Sequence, residues 1–358
     1  MKIVTWLGTR PEIIRLSRII PLLDNHAEHV LVHTGQNYDE NLSDIFFREL
    51  QVRPPDVHLG IEASSFGAQA AQVIEKSYEF FSRQRPDRVV ILGDTNSGLA
   101  AVSAARLGIP VFHLEAGNRC FDDRVPEEIN RRIIDGCSAV LMPYTHRSKE
   151  NLLHEGFDRK RIAVTGNPIF EVLQFYRAQI DASEVMERLS LAPKGFFLAT
   201  LHRAENVDDE VRLRRFMTAL DRVAAIHGLP MMISLHPRTL DRLQHFAIEP
   251  GAHLRVVKPL GFFDFVSLEI EAACVLSDSG TVQEECCILG VPNVTLRDVT
   301  ERAETIECGS SILTGCDDAA IERGVSIALA NSSWTPPPEY LVPNVSEIVA
   351  KIVMGYSI

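Results

Sequence analysis

"RVVILGDTNSGLAAVSAARLGIPVFHLEAG", residues 88–117, decides the fold. An apolar run of strand length, "RVVIL", breaks at Gly93-Asp94. A helical segment, "NSGLAAVSAARLG", ends on Gly108, and a second apolar run, "PVFHLE", follows at once. Neither run alternates apolar with polar residues, which marks strands buried on both faces. Strand, helix and strand in this order predict a parallel sheet covered by helices.

The pattern repeats outward. "KIVTWL" and "HVLVHT" precede this unit, and "AVLMP" and "RIAVTG" follow it. Pro168 in "TGNPIFEVLQF" starts a linking helix, and "RAQIDASEVMERLSLAPKG" reads as a hinge. A second series opens at Phe196 with "FFLATLH", then "PMMISLH", "LRVVKP", "CVLSD", "PNVTLR" and "SILTG". A long helical pattern, "VRLRRFMTALDRVAAIHG", lies within it. The fold class is α/β, with two Rossmann-like domains and parallel sheets. The first domain is read as 1–170 and the second as 171–343. Residues 344–358, helical in pattern from Ser346 to Met354, are expected to pack back on the first domain. A chain of 358 residues suits two cores better than one.

Composition narrows the function. The hydrophobic fraction, 46%, is ordinary for a globular protein. No apolar run reaches the roughly 18 residues of a membrane span. "MKIVTWLGTRPE" reads as a first strand and not as a signal peptide. Seven cysteines without a CxxC pair fit reduced thiols in a cytoplasmic chain. The net charge of −12 argues against nucleic acid as a partner but leaves room for a small anion held by local arginines. The chain has no G-x-G-x-x-G after a strand, no G-x-x-x-x-G-K-[ST], no HExxH and no G-x-S-x-G. A tightly held dinucleotide, a P-loop, a zinc site and a serine-hydrolase elbow are therefore not expected, and neither a metal nor a cofactor is called for.

In parallel α/β sheets, ligands bind where strands end. The unusual polar residues sit at those points: Arg10, Glu12 and Arg15 in "GTRPEIIR", Asp94 in "GDTNSG", and Glu115 in "HLEAGNR". Later come His202, Arg203 and Glu205 in "LHRAEN", then Ser279, Gly280 and Glu285 in "SDSGTVQEE", and Arg302 in "RDVTERAE". Each has a plain structural reading. Asp94 suits a helix cap, "DSG" an N-cap, His202 a satisfied core histidine, and "PEEINRR" an ordinary helix start. A helix N-terminus with small residues also makes a phosphate site. Six such junctions in two domains, with acids and cations alternating, favour chemistry. The chemistry left open is acid–base work by carboxylates and a histidine, with arginines and a helix end holding phosphate.

As a set, "GTRPEIIR", "TGQNYD", "GDTNS", "HLEAGNR…PEEINRR", "VTGNP", "HRAEN", "LSDSGTVQEE" and "RDVTERAE" resemble the non-hydrolysing UDP-N-acetylglucosamine 2-epimerases, in family order and over nearly the whole chain. The resemblance implies a glycosyltransferase-B-like arrangement with the active site in the cleft between the domains, a UDP-sugar ligand and a homodimer. It makes Asp94, Glu115, Glu127 and His202 the catalytic set. It makes Arg10, Arg15, Phe265, Ser279, Gly280, Glu285 and Arg302 the substrate-binding set, Arg15 standing where the family has Lys. The implied reaction eliminates UDP to a 2-acetamidoglycal and re-adds it with C2 inverted, which needs one proton-handling group per face and a held diphosphate.

"GNRCFDDRVPEE" departs from the commonest family pattern and looks like a subgroup. Those members invert UDP-2-acetamido-2,6-dideoxy-L-hexoses to give UDP-N-acetyl-L-fucosamine for capsule or O-antigen. Phe121 would then face the sugar lacking its 6-hydroxyl. Gly136 stands where a His is expected, and Ala303 where the family has Pro. "TGQNYD" lacks the His-Arg linked to activation by UDP-N-acetylglucosamine in many members. A glycosyltransferase of the same fold, and a catalytically silent nucleotide-sugar-binding protein, are the alternatives. The second would lose the carboxylates that this chain keeps.

Overall fold

The computed structural model describes residues 1–35, 40–63 and 65–356, with residues 40–43 described by their backbone alone. Residues 36–39 of the "TGQNYD" stretch lie outside the described residues. The chain divides into two compact units, Met1–Phe175 with Pro338–Ile358, and Tyr176–Pro337. A boundary at 170/171 would cut the helix Pro168–Phe175, which is continuous. The turn Pro338–Leu341 belongs to the first unit, because Asn167 N donates to the Glu339 carbonyl. The helix Val345–Gly355 is tied to the same unit: Ser346 N donates to Glu171 Oε2 at 2.7 Å, and Arg88 donates to the Tyr356 carbonyl at 2.7 Å.

The first unit holds β1 (Lys2–Leu7), β2 (Glu28–His33), β3 (Val57–His58), β4 (Arg88–Leu92), β5 (Val111–Leu114) and β6 (Val140–Met142). They form one parallel sheet in the order β3-β2-β1-β4-β5-β6. The second unit holds β7 (Phe197–Thr200), β8 (Met231–Ser234), β9 (Leu254–Val257), β10 (Cys274–Ser277), β11 (Asn293–Thr295) and β12 (Ser311–Leu313). Its parallel sheet runs β12-β11-β10-β7-β8-β9. Counted from its own first strand, each sheet therefore has the Rossmann order 3-2-1-4-5-6. The order reverses between β1 and β4 in one sheet and between β7 and β10 in the other.

"RIAVTG" is not a strand. Ala163 N and Thr165 N donate to the Leu141 and Pro143 carbonyls, but the pairing with β6 stops at a single bridge from Ile162. Gly166, at φ +87°, then turns the chain toward Pro168. The place of a sixth strand is taken by β3, two residues long and too short to show a period. The expected hinge is folded into the second unit as two short helices, Arg177–Asp181 and Val185–Arg188.

Burial on both faces explains the unbroken apolar strands. In the second sheet Phe197, Ala199, Met231, Ile233, Cys274 and Leu276 enter one core cluster. Their neighbours Phe196, Leu198, Met232 and Val275 enter another with Cys286. In the first sheet Val4, Trp6, Val89, Ile91 and Val111 pack with Phe81 and Ile134 from flanking helices. No helix of the described residues is long and apolar enough to cross a membrane.

Gly8 lets two loops close over the first switch point. A Cβ there would lie 2.1 Å from Ser97 Oγ and 2.3 Å from Thr34 Oγ1, which are hydrogen-bonded to each other at 2.7 Å. Gly8→Ala is expected to cost about 1–3 kcal/mol in urea unfolding, the usual range for overpacking. Ser97→Gly on that background is expected to restore part of the loss. An unchanged unfolding midpoint in Gly8→Ala would show that the loops separate freely.

Candidate active site

Both switch points are bridged by a buried carboxylate. In the first domain it is Glu12, in the first turn of the helix Arg10–Leu16. Glu12 Oε2 accepts from Gly8 N at 2.5 Å and Thr9 N at 2.9 Å, on the loop after β1. Its Oε1 accepts from Thr95 Oγ1 at 2.7 Å, on the loop after β4. Burial pushes Glu12 up to about 7, Asp94 nearby adds to the rise, and the three hydrogen bonds oppose it.

In the second domain the bridge is Asp278, following β10. It accepts from His202 N and Arg203 N, on the loop after β7, and from Asn206 Nδ2 at 3.1 Å. His202 Nδ1 lies 3.0 Å from its Oδ1. Burial pushes Asp278 up, but the His202 charge and the hydrogen bonds from His202, Arg203 and Asn206 outweigh it and hold the group down at about 2. The two bridges differ in their surroundings: Glu12 faces another acid, Asp278 a histidine.

The catalytic candidates of the first domain gather at the C-terminal edge of its sheet. Asp94 is not a cap; Thr95 takes the cap position of the turn Asn96–Leu99. The Asp94 carboxylate meets Arg131 instead, at 2.7 Å. Glu115 follows β5 in left-handed backbone, φ +70°, a conformation a non-glycine residue keeps only when its surroundings enforce it. Arg15 lies 2.5 Å from its Oε2, and Asn118 Nδ2 donates to its Oε1 at 3.3 Å. Arg15 also stacks over the Tyr144 ring at 5.6 Å. Glu127 is half-buried in the first turn of the helix Pro126–Cys137. Its neighbour Glu128 is wholly buried and structural, accepting from Cys120 N, Phe121 N and Arg131.

The arginines of "GNRCFDDRVPEEINRR" hold acids. Arg131 joins Asp94 to Glu128. Arg119 joins Asp135 to Glu155, and Asp135 also meets His113 at 2.7 Å. Arg124 pairs with Asp122, and Arg132 with Asp123. Arg10 is different. It is half-buried, makes no ion pair among the described residues, and stacks over Phe46 at 5.7 Å. Burial lowers its pKa, so an incoming anion would meet a cation with little water around it.

In the second domain His202 is no core histidine, with 40% of its side chain exposed. Ser279 caps the helix Gly280–Leu289, its Oγ accepting from Val282 N. A Cβ on Gly280 would lie 2.9 Å from Glu301 Oε1 and 3.6 Å from the Arg302 guanidinium carbon, so Arg302 sits against that helix start. Arg302 pairs with Glu284 at 2.7 Å and Glu301 at 3.5 Å. Glu285 is buried on the same helix, and Phe265 packs half-buried against the nearby core. Among the described residues no group of three His, Cys, Asp or Glu could hold a metal ion.

The bridging roles of Glu12 and Asp278 were not read from the sequence. Both stand inside quoted motifs, but Thr95 for Glu12, and His202, Arg203 and Asn206 for Asp278, come from loops distant in the chain.

Asp278 binds its proton more weakly in the folded than in the unfolded chain. Its stabilisation is full above the ordinary 3.8 and is lost as pH falls to about 2. Asp278→Asn is expected to destabilise the second domain by about 2 kcal/mol at neutral pH. The gap to the native chain should close as pH falls through that window, followed by urea unfolding. A gap independent of pH would contradict an ionised Asp278 bridge.

A family model described as UDP-N-acetylglucosamine 2-epimerase matches residues 22–354. The UDP-N-acetylglucosamine 2-epimerase of Methanocaldococcus jannaschii is 39% identical over 359 residues, covering 94% of this chain and 95% of that protein. The UDP-2,3-diacetamido-2,3-dideoxy-D-glucuronate 2-epimerase of Pseudomonas aeruginosa is 38% identical over 319 residues, 88% of this chain. The crystal structure of the M. jannaschii enzyme, in complex with UDP-GlcNAc and UDP, superposes with a TM-score of 0.94 at 38% identity, covering 98% of this chain and 99% of that one. The glycosyltransferase WaaG, at 12% identity and a TM-score of 0.63, shares the fold alone. With two Rossmann-like domains of one strand order and a family match over nearly its whole length, the chain belongs to the UDP-N-acetylglucosamine 2-epimerase family and is an isomerase.

Proposed function

We propose that the protein is a non-hydrolysing 2-epimerase of a UDP-2-acetamido sugar, working by elimination of UDP and re-addition to a 2-acetamidoglycal. The observation that carries this reading is the acid set at the edge of the first sheet. Glu115 is held in strained backbone by Arg15, Asp94 is fixed by Arg131, and Glu127 stands half-buried at a helix start. The C2 proton is only feebly acidic, so a positioned base needs charge building at C1 in the same step. One carboxylate takes the proton from one face and another returns a proton to the opposite face. His202, oriented by Asp278, serves as the fourth catalytic group. Arg10, the helix start at Ser279 and Gly280, and Arg302 hold the diphosphate, and Phe265 and Glu285 the uridine. Arg15 contributes by keeping Glu115 charged and in place. The departing UDP must stay bound, or the product is free sugar.

For the substrate we propose a UDP-2-acetamido-2,6-dideoxy-L-hexose, giving UDP-N-acetyl-L-fucosamine, with UDP-N-acetylglucosamine as the second choice. Relatives of nearly equal identity carry names that differ in the sugar's C3 and C6 groups, so overall identity does not select among them. Phe121 supports the deoxy sugar: it is 63% exposed, in left-handed backbone at φ +56°, just before the acid-rich helix. The enzyme is further proposed to be a cytoplasmic homodimer that supplies capsule or O-antigen synthesis. Exposed Ile74 and Tyr78 on the helix Phe66–Gln84, and Ile129 and Ile133 on the helix Pro126–Cys137, are the apolar side chains offered to a second copy in this reading. A glycosyltransferase reading has only the WaaG fold likeness in its favour, and fold does not fix function.

Turnover in D₂O tests the mechanism. Deuterium is expected at C2 of the product, read by mass spectrometry, with traces of UDP and 2-acetamidoglycal on long incubation. Glu127→Gln is expected to slow epimerisation and exchange together by about 10²-fold, the weight of a positioned acid or base. Full turnover with protium kept at C2 would contradict abstraction by a solvent-exchanging base.

A further inference from the structure

Glu269 is a buried acid that the proposed mechanism leaves unused. It lies near the end of the helix Phe262–Glu271 and is 0% exposed. Neither of its oxygens accepts a hydrogen bond from an N–H or O–H donor of another residue. Its side chain contacts the carboxyl of Glu285 on the helix Gly280–Leu289. Thiols lie by the pair: Cys286 feels both acids, and Cys274 and Cys287 are near it. Cys286 belongs to a core cluster with apolar Leu268, Ala272, Val275 and Val282. The neighbouring Glu284 has Arg302 as its cation; among the described residues no ion pair reaches Glu269.

Two carboxylates in such a place cannot both be ionised, so one proton stays with the pair. Burial first, and the charge of Glu285 second, push Glu269 well above the usual carboxylate range. With no donor on either of its oxygens, Glu269 is the member to which the proton is assigned, its O–H donating to Glu285. An apolar residue would fill this core position without the cost of burying an acid. The acid does one thing that an apolar residue cannot: it fixes the rotamer of Glu285 and leaves that carboxylate charged.

We propose that Glu269 is a positioning residue for nucleotide binding, its carboxylic O–H holding the Glu285 carboxylate toward the ribose hydroxyls of a bound uridine nucleotide. The inference rests on the assignment of Glu285 to the uridine made above. It adds a requirement for a hydrogen-bond donor, not merely for bulk, at position 269.

Calorimetric titration of UDP and 2′-deoxy-UDP separates the two claims. The native protein is expected to prefer UDP by about tenfold or more, the value of one hydrogen bond to a charged group. Glu269→Gln, which keeps a donor, should retain that preference to within about twofold. Glu269→Leu should lose it while melting at the same temperature as the native protein or higher. The infrared band of a buried protonated carboxyl should be present in the native protein and absent from Glu269→Gln. A Glu269→Leu protein that keeps the native preference overturns the inference, as does a protonated-carboxyl band that loses no intensity in Glu269→Gln when the spectra are taken about two pH units above the value of about 7 held by Glu12, where Glu12 is ionised. Glu285→Ala is expected to lose the preference too; if it keeps it, the assignment of Glu285 to the ribose fails first.

Discussion

A carboxylate buried across the switch point of each sheet sets the positions of the residues around it. Parallel strands in the order 3-2-1-4-5-6 open a gap where neighbouring loops diverge to opposite faces. Glu12 closes that gap from the first turn of the helix after β1, and Asp278 from the loop after β10. Arg10, Thr95 and Asp94 are fixed in relation to the first, and His202, Arg203 and Ser279 in relation to the second. The same device ends in two protonation behaviours. Burial raises Glu12 to about 7, with the Asp94 charge a small addition, while at Asp278 the His202 charge and the hydrogen bonds outweigh the same burial and hold it at about 2. Sheet geometry places the groups, and the balance of burial against local charge and donors decides which of them carries a proton.

The same constraint accounts for the density of charge after β5. An acid taken out of water needs a cation, several donors or a proton. Arg15, Arg119 and Arg131, all almost wholly buried, supply the cations for Glu115, Asp135, Asp94 and Glu128. Buried ion pairs of this kind are weak as sources of stability, but losing one partner strands the other. Their effect is to hold carboxylates ionised and aimed. Most arginines near the first site are thus committed to acids, whereas Arg10 makes no ion pair among the described residues, which is why it is proposed as the ligand of a phosphate. Glu269, with no cation on it among the described residues, is assigned the remaining route, a retained proton.

Much of this was legible in the sequence. Apolar runs gave away every strand of the second sheet, because its inner strands are covered on both faces, while the edge strand β9 keeps an apolar run although Arg255 and Val256 are exposed. The first sheet was harder. "RIAVTG" has strand composition but leaves β6 after one bridge, and β3 is too short for any period to show. Motif positions at strand ends located the candidate site, since chain direction alone dictates which edge they reach. The pairing of charges was not legible. Arg15 meets Glu115 across 100 residues, and Arg203 and Asn206 reach Asp278 across more than 70. "PEE" shows two adjacent acids, and only the helix phase makes Glu128 the buried one and leaves Glu127 half-buried.

Proton NMR of the protein with a panel of UDP-2-acetamido sugars tests the central claim most directly. The account predicts a new anomeric signal from the C2 epimer of at least one UDP-sugar, approaching equilibrium from either side, while free UDP and free sugar stay at trace levels. Stoichiometric release of UDP with free sugar, or no change in any UDP-2-acetamido sugar, would contradict it.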